Sequence, residues 1–283
     1  MTAERELEPG LYLVGTPIGN LEDVSLRAIR VLKQADLIAC EDTRQTQKLL
    51  HHYGIETRAI SYHEHNEASR AAELAEKLAQ GARIAVVSDA GMPGISDPGF
   101  RLVSLAIERG VPVFPVPGAA AFLAGLVVSG LPTDSFSFRG FLPAKSGARR
   151  RELEKILASD ETQIYYEAPH RIRETLADVV EVLGPDRPVV VARELTKIHE
   201  EFLRGAAGEV ERALNAREVK GEITLLIGKA AEGQSAPRGS SVRERVEELM
   251  REEKVDEKAA LKKVAKERRI SKSEAYRELQ RVR

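Results

Sequence analysis

The chain contains one cysteine, Cys40, in 283 residues. A lone thiol excludes an intramolecular disulfide and any multi-cysteine zinc site. It also has no apolar run of the ~20 residues that a bilayer-spanning helix needs. The N-terminal stretch Met-Thr-Ala-Glu-Arg-Glu-Leu-Glu is acidic and lacks the apolar centre of a signal peptide. Together these absences point to a cytoplasmic protein. Net charge is almost absent too: 43 basic against 44 acidic side chains leave −1. Bulk charge therefore gives no argument for a nucleic-acid partner, but its distribution does. From Ser241 to Arg283 there are 14 Lys/Arg against 10 Asp/Glu, and from Lys262 onward 9 against 3. Lys262, Lys263, Arg268, Arg269 and Lys272 make that end a candidate contact for a polyanion.

What is present is regular. Short β-branched runs at 11–14, 37–40, 57–61, 84–87 and 113–116 alternate with helical spacing at 26–32, 43–52, 66–80, 98–109 and 119–128. Such alternation predicts βα units around a mostly parallel sheet. The pattern breaks at 129–134 and again at 143–147. A second half follows, with helices at 148–159, 169–183 and 207–216 and strands at 162–166, 188–193, 199–204 and 222–228. Two strands there follow one another without a helix between them, which predicts a mixed sheet. The expected fold is α/β with two domains, 10–130 and 131–230, and a cleft between them. Residues 231–240, rich in Gly and Ser, read as a flexible linker. Residues 241–283 read as a small all-helical domain with helix-turn-helix-like grammar, a plain helical bundle being the alternative.

In open α/β sheets ligands bind beyond the carboxyl ends of the strands. Four segments there are rich in small residues: Gly15-Thr16-Pro17-Ile18-Gly19-Asn20, the stretch SDAGMPGISDPG at 88–99, Val116–Ala121, and Lys220–Thr224. None carries a G-x-G-x-x-G fingerprint or the Lys-Ser/Thr of a phosphate loop, so NAD and ATP lack support. The second segment far exceeds the about two to six residues that a strand-to-helix turn requires. Its end, Ser96-Asp97-Pro98, reads as a helix start with proline in first position. A polar set also follows strands: CEDTR at 40–44, SYHEHNE at 61–67 and YEAPHR at 166–171. Arg44 and Arg171 sit where a cation opposes the helix dipole, which calls for a partner such as Glu41 or Glu167, or for a functional role. His63 and His65, with Glu64 and Glu67 nearby, have poor spacing for a metal, and none is expected.

These pieces, in this order, resemble the ribosomal RNA small-subunit methyltransferase I family, the cytidine 2′-O-methyltransferases of bacterial 16S rRNA within the tetrapyrrole-methylase fold. The carriers are LYLVGTPIGNLEDVSLRAIRVL, IACEDTRQTQKLL, SYHEHNE, VVSDAGMPGISDPG, PVPGAAAFLAGLVVSGL, FRGFLP, YYEAPHRI, VVARELTKIHEE and GEITLLIG, spanning roughly residues 10 to 230. One departure is Ala119-Ala120-Ala121, where family members commonly carry a serine. The resemblance implies S-adenosylmethionine (AdoMet) in the cleft, a homodimer, and the 30S ribosomal subunit as partner. By position it implies cofactor contacts from Pro17, from Ser88, Asp89, Ala90, Gly91 and Ile95, and from Ala120 and Ala121. Tyr166, Arg193, Glu222, Ile223 and Thr224 would close the other side.

On that reading the methyl arrives activated, so alignment of the ribose hydroxyl counts for more than any single base. Arg44, Lys145 and Arg171 are expected on RNA phosphates, and Glu167 or His170 beside the 2′-hydroxyl, with Arg44 also part of the catalytic set. Two rivals are a methylase acting on a tetrapyrrole or corrin, and an RNA-binding ribosome-assembly factor that performs no chemistry.

Overall fold

The computed structural model describes residues 6–230, 242–253, 255–267, 275–277 and 279. The N-terminal part alternates as expected: β1 (Gly10–Val14), α1 (Leu26–Gln34), β2 (Leu37–Cys40), α2 (Thr43–His52), β3 (Ala59–Ser61), α3 (Glu67–Ala79), β4 (Arg83–Val87), α4 (Phe100–Glu108) and β5 (Val113–Val116). The five strands form one wholly parallel sheet in the order β3-β2-β4-β1-β5. Each strand alternates its faces with period two. Tyr12, Val14, Ile38, Cys40, Ala85 and Val87 pack on Ala28, Val31, Leu32 and Leu50 of α1 and α2. Leu11, Ala39, Ile84 and Val86 pack on Ala71, Leu74, Leu78, Leu102 and Ala106 of α3 and α4. Parallel strands buried on both sides explain the continuous apolar runs in the sequence.

Local chemistry starts these helices. The Ser25 side chain accepts the Ala28 N–H at 3.0 Å to begin α1, and Asp42 accepts the Arg44 N–H at 2.8 Å to begin α2. One start differs from expectation. Ser96-Asp97-Pro98 does not cap a helix; α4 begins at Phe100 after Gly99, whose φ is 149°. Ser96 itself has φ 61° and turns the chain there, so both polar side chains remain in the loop.

The second sheet takes α5 (Ala121–Ser129), β6 (Phe136–Phe141), α6 (Ser146–Lys155), β7 (Thr162–Glu167), α7 (Ile172–Leu183), β8 (Pro188–Arg193), β9 (Glu201–Ala206), α8 (Ala207–Asn215) and β10 (Ile223–Ile227). Its order is β6-β7-β10-β8-β9, with β6 and β7 parallel and every other pair antiparallel. The sheet is mixed, as the two consecutive strands implied. Strand β6 was not anticipated, because FSFRGF lies between two breaks and contains Gly140. Helix α5 follows the first sheet in sequence yet packs on β7, β8 and β10 of the second. Ile18 from the loop after β1 joins Leu126, Ile164, Val190, Ala192 and Leu226 in that core.

Both sheets belong to one compact unit, which runs to Glu154 and resumes over Glu161–Gly228; the other takes Lys155–Asp160 and the chain beyond Gly228. In that other unit α9 (Val242–Glu253) and α10 (Glu257–Glu267) pack through Val246, Leu249, Ala260 and Val264, joined by Leu279. The residues 231–240 read as a linker, and the turn between 268 and 274, lie outside the described residues. Among the described residues no helix is long and apolar enough to cross a membrane.

Helices α6 and α7 are tied by a buried charge cluster. The Arg149 Nε donates to Asp178 Oδ2 at 2.6 Å, and their side chains are 1% and 4% exposed. Arg150 Nε and the Ser146 hydroxyl donate to the same carboxylate at 2.6 and 3.0 Å. Burial pushes the Asp178 pKa up, but Arg150, Arg149 and Ser146 outweigh it and hold the group below the usual carboxylate range. Asp178→Ala leaves Arg149 buried without its main partner, and the expected loss is about 3–5 kcal/mol in urea unfolding. Since the shift is downward, this stabilisation is complete above the unfolded value of ~3.9 and disappears as pH falls through the lower folded value. Acid titration of unfolding in wild type and Asp178→Asn should therefore converge at low pH.

Candidate active site

Three loops at the carboxyl edge of the first sheet are locked together by backbone contacts. Thr16 and Gly91 exchange N–H···O bonds at 2.9 and 3.2 Å, and the Thr16 hydroxyl lies 3.2 Å from the Ser88 carbonyl. Gly15 and Gly118 meet back to back: a β-carbon on Gly118 would stand 2.7 Å from the Gly15 backbone. The loop after β1 also reaches the second sheet, where the Asn20 N–H donates to the Thr196 hydroxyl at 3.1 Å.

Between these loops and the second sheet lies a cavity of about 400 Å³. Its walls from the first sheet side include Ile18, Ala90, Gly91, Met92, Ile95, Ser96 and Asp97, followed by Ala120, Ala121 and Phe122 at the start of α5. The facing walls are Phe141, Tyr166 to Pro169, Leu195, and Gly221 to Thr224. Helix α5 begins at Ala121 without a side-chain cap. Its first N–H groups are thus left for another acceptor. Small residues, a left-handed glycine (Gly91, φ 84°) and an uncapped helix start together let a ligand approach main-chain atoms closely. The volume falls within the ~300–1,000 Å³ of small-molecule sites.

Of the residues expected at a cofactor, Ala90, Gly91, Ile95, Ala120, Ala121, Tyr166, Glu222, Ile223 and Thr224 line this cavity. Pro17, Ser88, Asp89 and Arg193 are not in its lining. Ser88 sits behind the wall, its hydroxyl 3.3 Å from the carbonyls of Ala90 and Gly91. Asp89 accepts the Asp42 N–H at 3.1 Å. Arg193 is engaged by Glu201 at 3.0 Å and by the carbonyls of Lys220 and His199.

The ionisable groups of the cavity fall into distinct roles. Glu167 lines it, yet its side chain is 0% exposed and fully engaged. It accepts the Thr175 hydroxyl at 2.7 Å and the Ala168 N–H at 2.7 Å, and faces the Arg171 guanidinium at 3.2 Å. Arg171, in turn, donates to the Leu142 carbonyl at 2.7 Å. This pair is a strut between α7 and the segment after β6. Glu222 has 73% of its side chain exposed and pairs with Lys197 at 3.0 Å. Asp97 is different. Burial and the neighbouring Glu41 push its carboxyl up to about 6, with Asp89 adding to the effect and the Ser88 hydroxyl opposing it. Glu41 is raised as well, by burial and then by Asp89. A cavity-lining carboxyl raised by burial and by neighbouring acids makes Asp97 a candidate functional group.

The remaining expected residues lie away from the cavity lining. Arg44 is 88% exposed and folds back on Asp42 at 2.9 Å, holding that carboxylate down to about 2 chiefly through their side-chain hydrogen bond. Lys145 and His170 are exposed. Lys262 and Lys263 are exposed on α10, and Arg268, Arg269 and Lys272 lie outside the described residues. Sequence reasoning missed Asp97 and Phe141. Asp-Pro-Gly looked like helix punctuation, and Phe141 sat on the strand that was not anticipated.

The pattern for Tetrapyrrole (Corrin/Porphyrin) Methylases matches residues 10–211. A ribosomal RNA small subunit methyltransferase I from Halalkalibacterium halodurans is 52% identical over 224 residues, 79% of this chain and 77% of that protein. Its Bacillus subtilis counterpart is 46% identical over 274 residues, 94% and 92% of the two chains. Among solved structures, a uroporphyrin-III C-methyl transferase from Thermus thermophilus, complexed with S-adenosyl homocysteine, has a TM-score of 0.55 at 22% identity, covering 78% of this chain and 98% of that one. The latter likeness carries the fold; the former two carry the closer kinship. An α/β pair of sheets around a small-residue cavity, with relatives this similar over most of its length, places the chain in the tetrapyrrole methylase family and, within it, among the ribosomal RNA small subunit methyltransferases I.

Proposed function

We propose that the chain transfers a methyl group from AdoMet to small-subunit ribosomal RNA, at the 2′-hydroxyl of a ribose, the family's position being cytidine 1402 of 16S rRNA. The observation that carries this reading is 46% identity to a ribosomal RNA small subunit methyltransferase I over 94% of the chain. The cytoplasm and a homodimer belong to the same reading, and light scattering of the purified chain tests the dimer.

AdoMet, when bound, supplies a methyl group already activated by a positive sulfur. What remains for the protein is to orient one hydroxyl and accept one proton. Gly91, Ala120, Ala121 and the Glu222–Thr224 strand end would hold the cofactor through main-chain atoms, which the serine-free Ala119–Ala121 stretch permits. Asp97 is the proton acceptor in this reading: it lines the cavity and, among the described residues, is committed to no cationic partner. Glu167 serves instead as the anchor for Arg171. Arg44 and Lys145 are exposed cations available to RNA phosphates, as are Lys262 and Lys263 on α10. A tetrapyrrole substrate has less behind it, since the uroporphyrin-III C-methyl transferases of similar fold are only 20% and 22% identical. An RNA-binding role without chemistry is separated by AdoMet binding in calorimetry.

The decisive experiment maps 2′-O-methylation of 16S rRNA in cells with and without this gene; an unchanged map would sink the proposal. Asp97→Asn should lower turnover by about 10²–10⁴-fold while AdoMet affinity holds. In the wild type the rate should climb as pH rises through about 6, because the acceptor must be deprotonated. The raised value also means that Asp97 costs stability above pH ~4, so Asp97→Asn should melt higher than wild type at pH 8 and not at pH 3.5. Removing residues 241–283 should weaken RNA binding and flatten the slope of log affinity against log salt. An identical slope would exclude the tail from the RNA contact.

A further inference from the structure

Phe141 ends β6 with 57% of its surface exposed, at the rim of the cavity. A large apolar ring held in water is unfavourable unless something comes to cover it. This ring is not there by default. Gly140 has φ 63°, a conformation that L side chains rarely adopt, and the pairing of β6 with β7 shifts register between Phe138 and Phe141. The shift is what brings Phe141 opposite Tyr166 instead of continuing the regular alternation. Downstream, the chain is pinned twice. The Leu142 carbonyl accepts Arg171 Nη2 at 2.7 Å, and the Ala144 carbonyl accepts Arg149 Nη1 at 3.2 Å. Each arginine is itself fixed by a buried carboxylate, Glu167 and Asp178. Two buried ion pairs thus hold one short stretch of main chain beside an exposed aromatic ring.

The ring has a free stacking direction. Its one aromatic neighbour among the described residues is Tyr166, 5.8 Å away and inclined at 62°, whereas Phe122 and Phe138 deeper in stack on each other at 4.6 Å and 22°. Resting on the function proposed above, a second constraint enters from the substrate. Asp97 and the cofactor walls lie inside a cavity of about 400 Å³, which a stacked RNA strand cannot enter. The target nucleotide has to leave its stack, and its base then needs a new partner.

We propose that Phe141 is the stacking platform for the base of the methylated nucleotide, holding it at the rim so that its ribose reaches Asp97. Every base presents a π face, so the platform supplies hold and orientation and does not choose among bases.

The chain contains no tryptophan, so Phe141→Trp places its one tryptophan at the rim, where it can be excited selectively. The substrate is small subunits isolated from cells lacking this gene. The Trp variant should keep methyl transfer within about threefold of wild type, and its fluorescence should be quenched by the subunits and not by AdoMet alone. Phe141→Leu keeps apolar bulk and loses the ring. Its kcat/KM for subunits should fall about 10- to 100-fold, with AdoMet affinity and melting temperature unchanged, and Phe141→Tyr should restore it. Wild-type kcat/KM in Phe141→Leu, or failure of the Tyr and Trp variants to outperform Leu, overturns the platform. Quenching by AdoMet alone, or loss of AdoMet affinity in the Leu variant, assigns the ring to the cofactor and also overturns it. A wild type that transfers no methyl to small-subunit RNA overturns the functional reading first, and the platform with it; a normal wild type beside a normal Leu variant overturns the platform alone.

Discussion

The carboxylate of Glu167 is the constraint around which the site is organised. A charge removed from water has to be met by donors or its burial is prohibitive. Here the Thr175 hydroxyl, the Ala168 N–H and the Arg171 guanidinium meet it. Those three donors lie in the turn that follows β7 and in α7. Satisfying one anion therefore fixes the direction in which α7 leaves the sheet. Arg171 has hydrogen-bonding capacity to spare, which goes to the Leu142 carbonyl. A tie of this kind carries rigidity outward, from a buried group to the segment that borders the cavity. The Asp178 cluster repeats the arrangement one turn further along α7 and reaches Ala144.

The other side of the cavity is built by the opposite means. No charge is buried at the Gly15–Gly118 contact; two main chains approach to a distance that leaves no room for a β-carbon. The exchange of hydrogen bonds between Thr16 and Gly91 closes the same group of loops. One wall is thus rigid through electrostatics and the other through close packing of backbone. Asp97 lies in the second wall, where burial and then the neighbouring Glu41 and Asp89 raise its carboxyl.

Much of this was legible in the residues. The first sheet announced itself through apolar runs separated by helical spacing, because parallel strands buried on both faces have no polar positions to blur the signal. The mixed character of the second sheet followed from two strands with no helix between them. Strand β6 was not legible: it is an edge strand with Arg139 and Gly140 inside it, and a register shift interrupts its pairing with β7. Asp97 and Glu167 illustrate a different limit. Both are acids near glycine- or proline-rich turns, and the motifs mark them equally. Only the side chains that converge on Glu167, from eight residues downstream in the case of Thr175, separate an anchor from a group that faces the cavity.

The cavity takes its walls from both sheets of a single compact unit. A molecule that fills it binds only chains in which both sheets are formed, and so draws the folding equilibrium toward them. At a hundredfold excess over its dissociation constant, such a ligand adds about 2.7 kcal/mol to the folded state. The supply of methyl donor would then govern two things at once, how fast each molecule works and how many molecules escape unfolding.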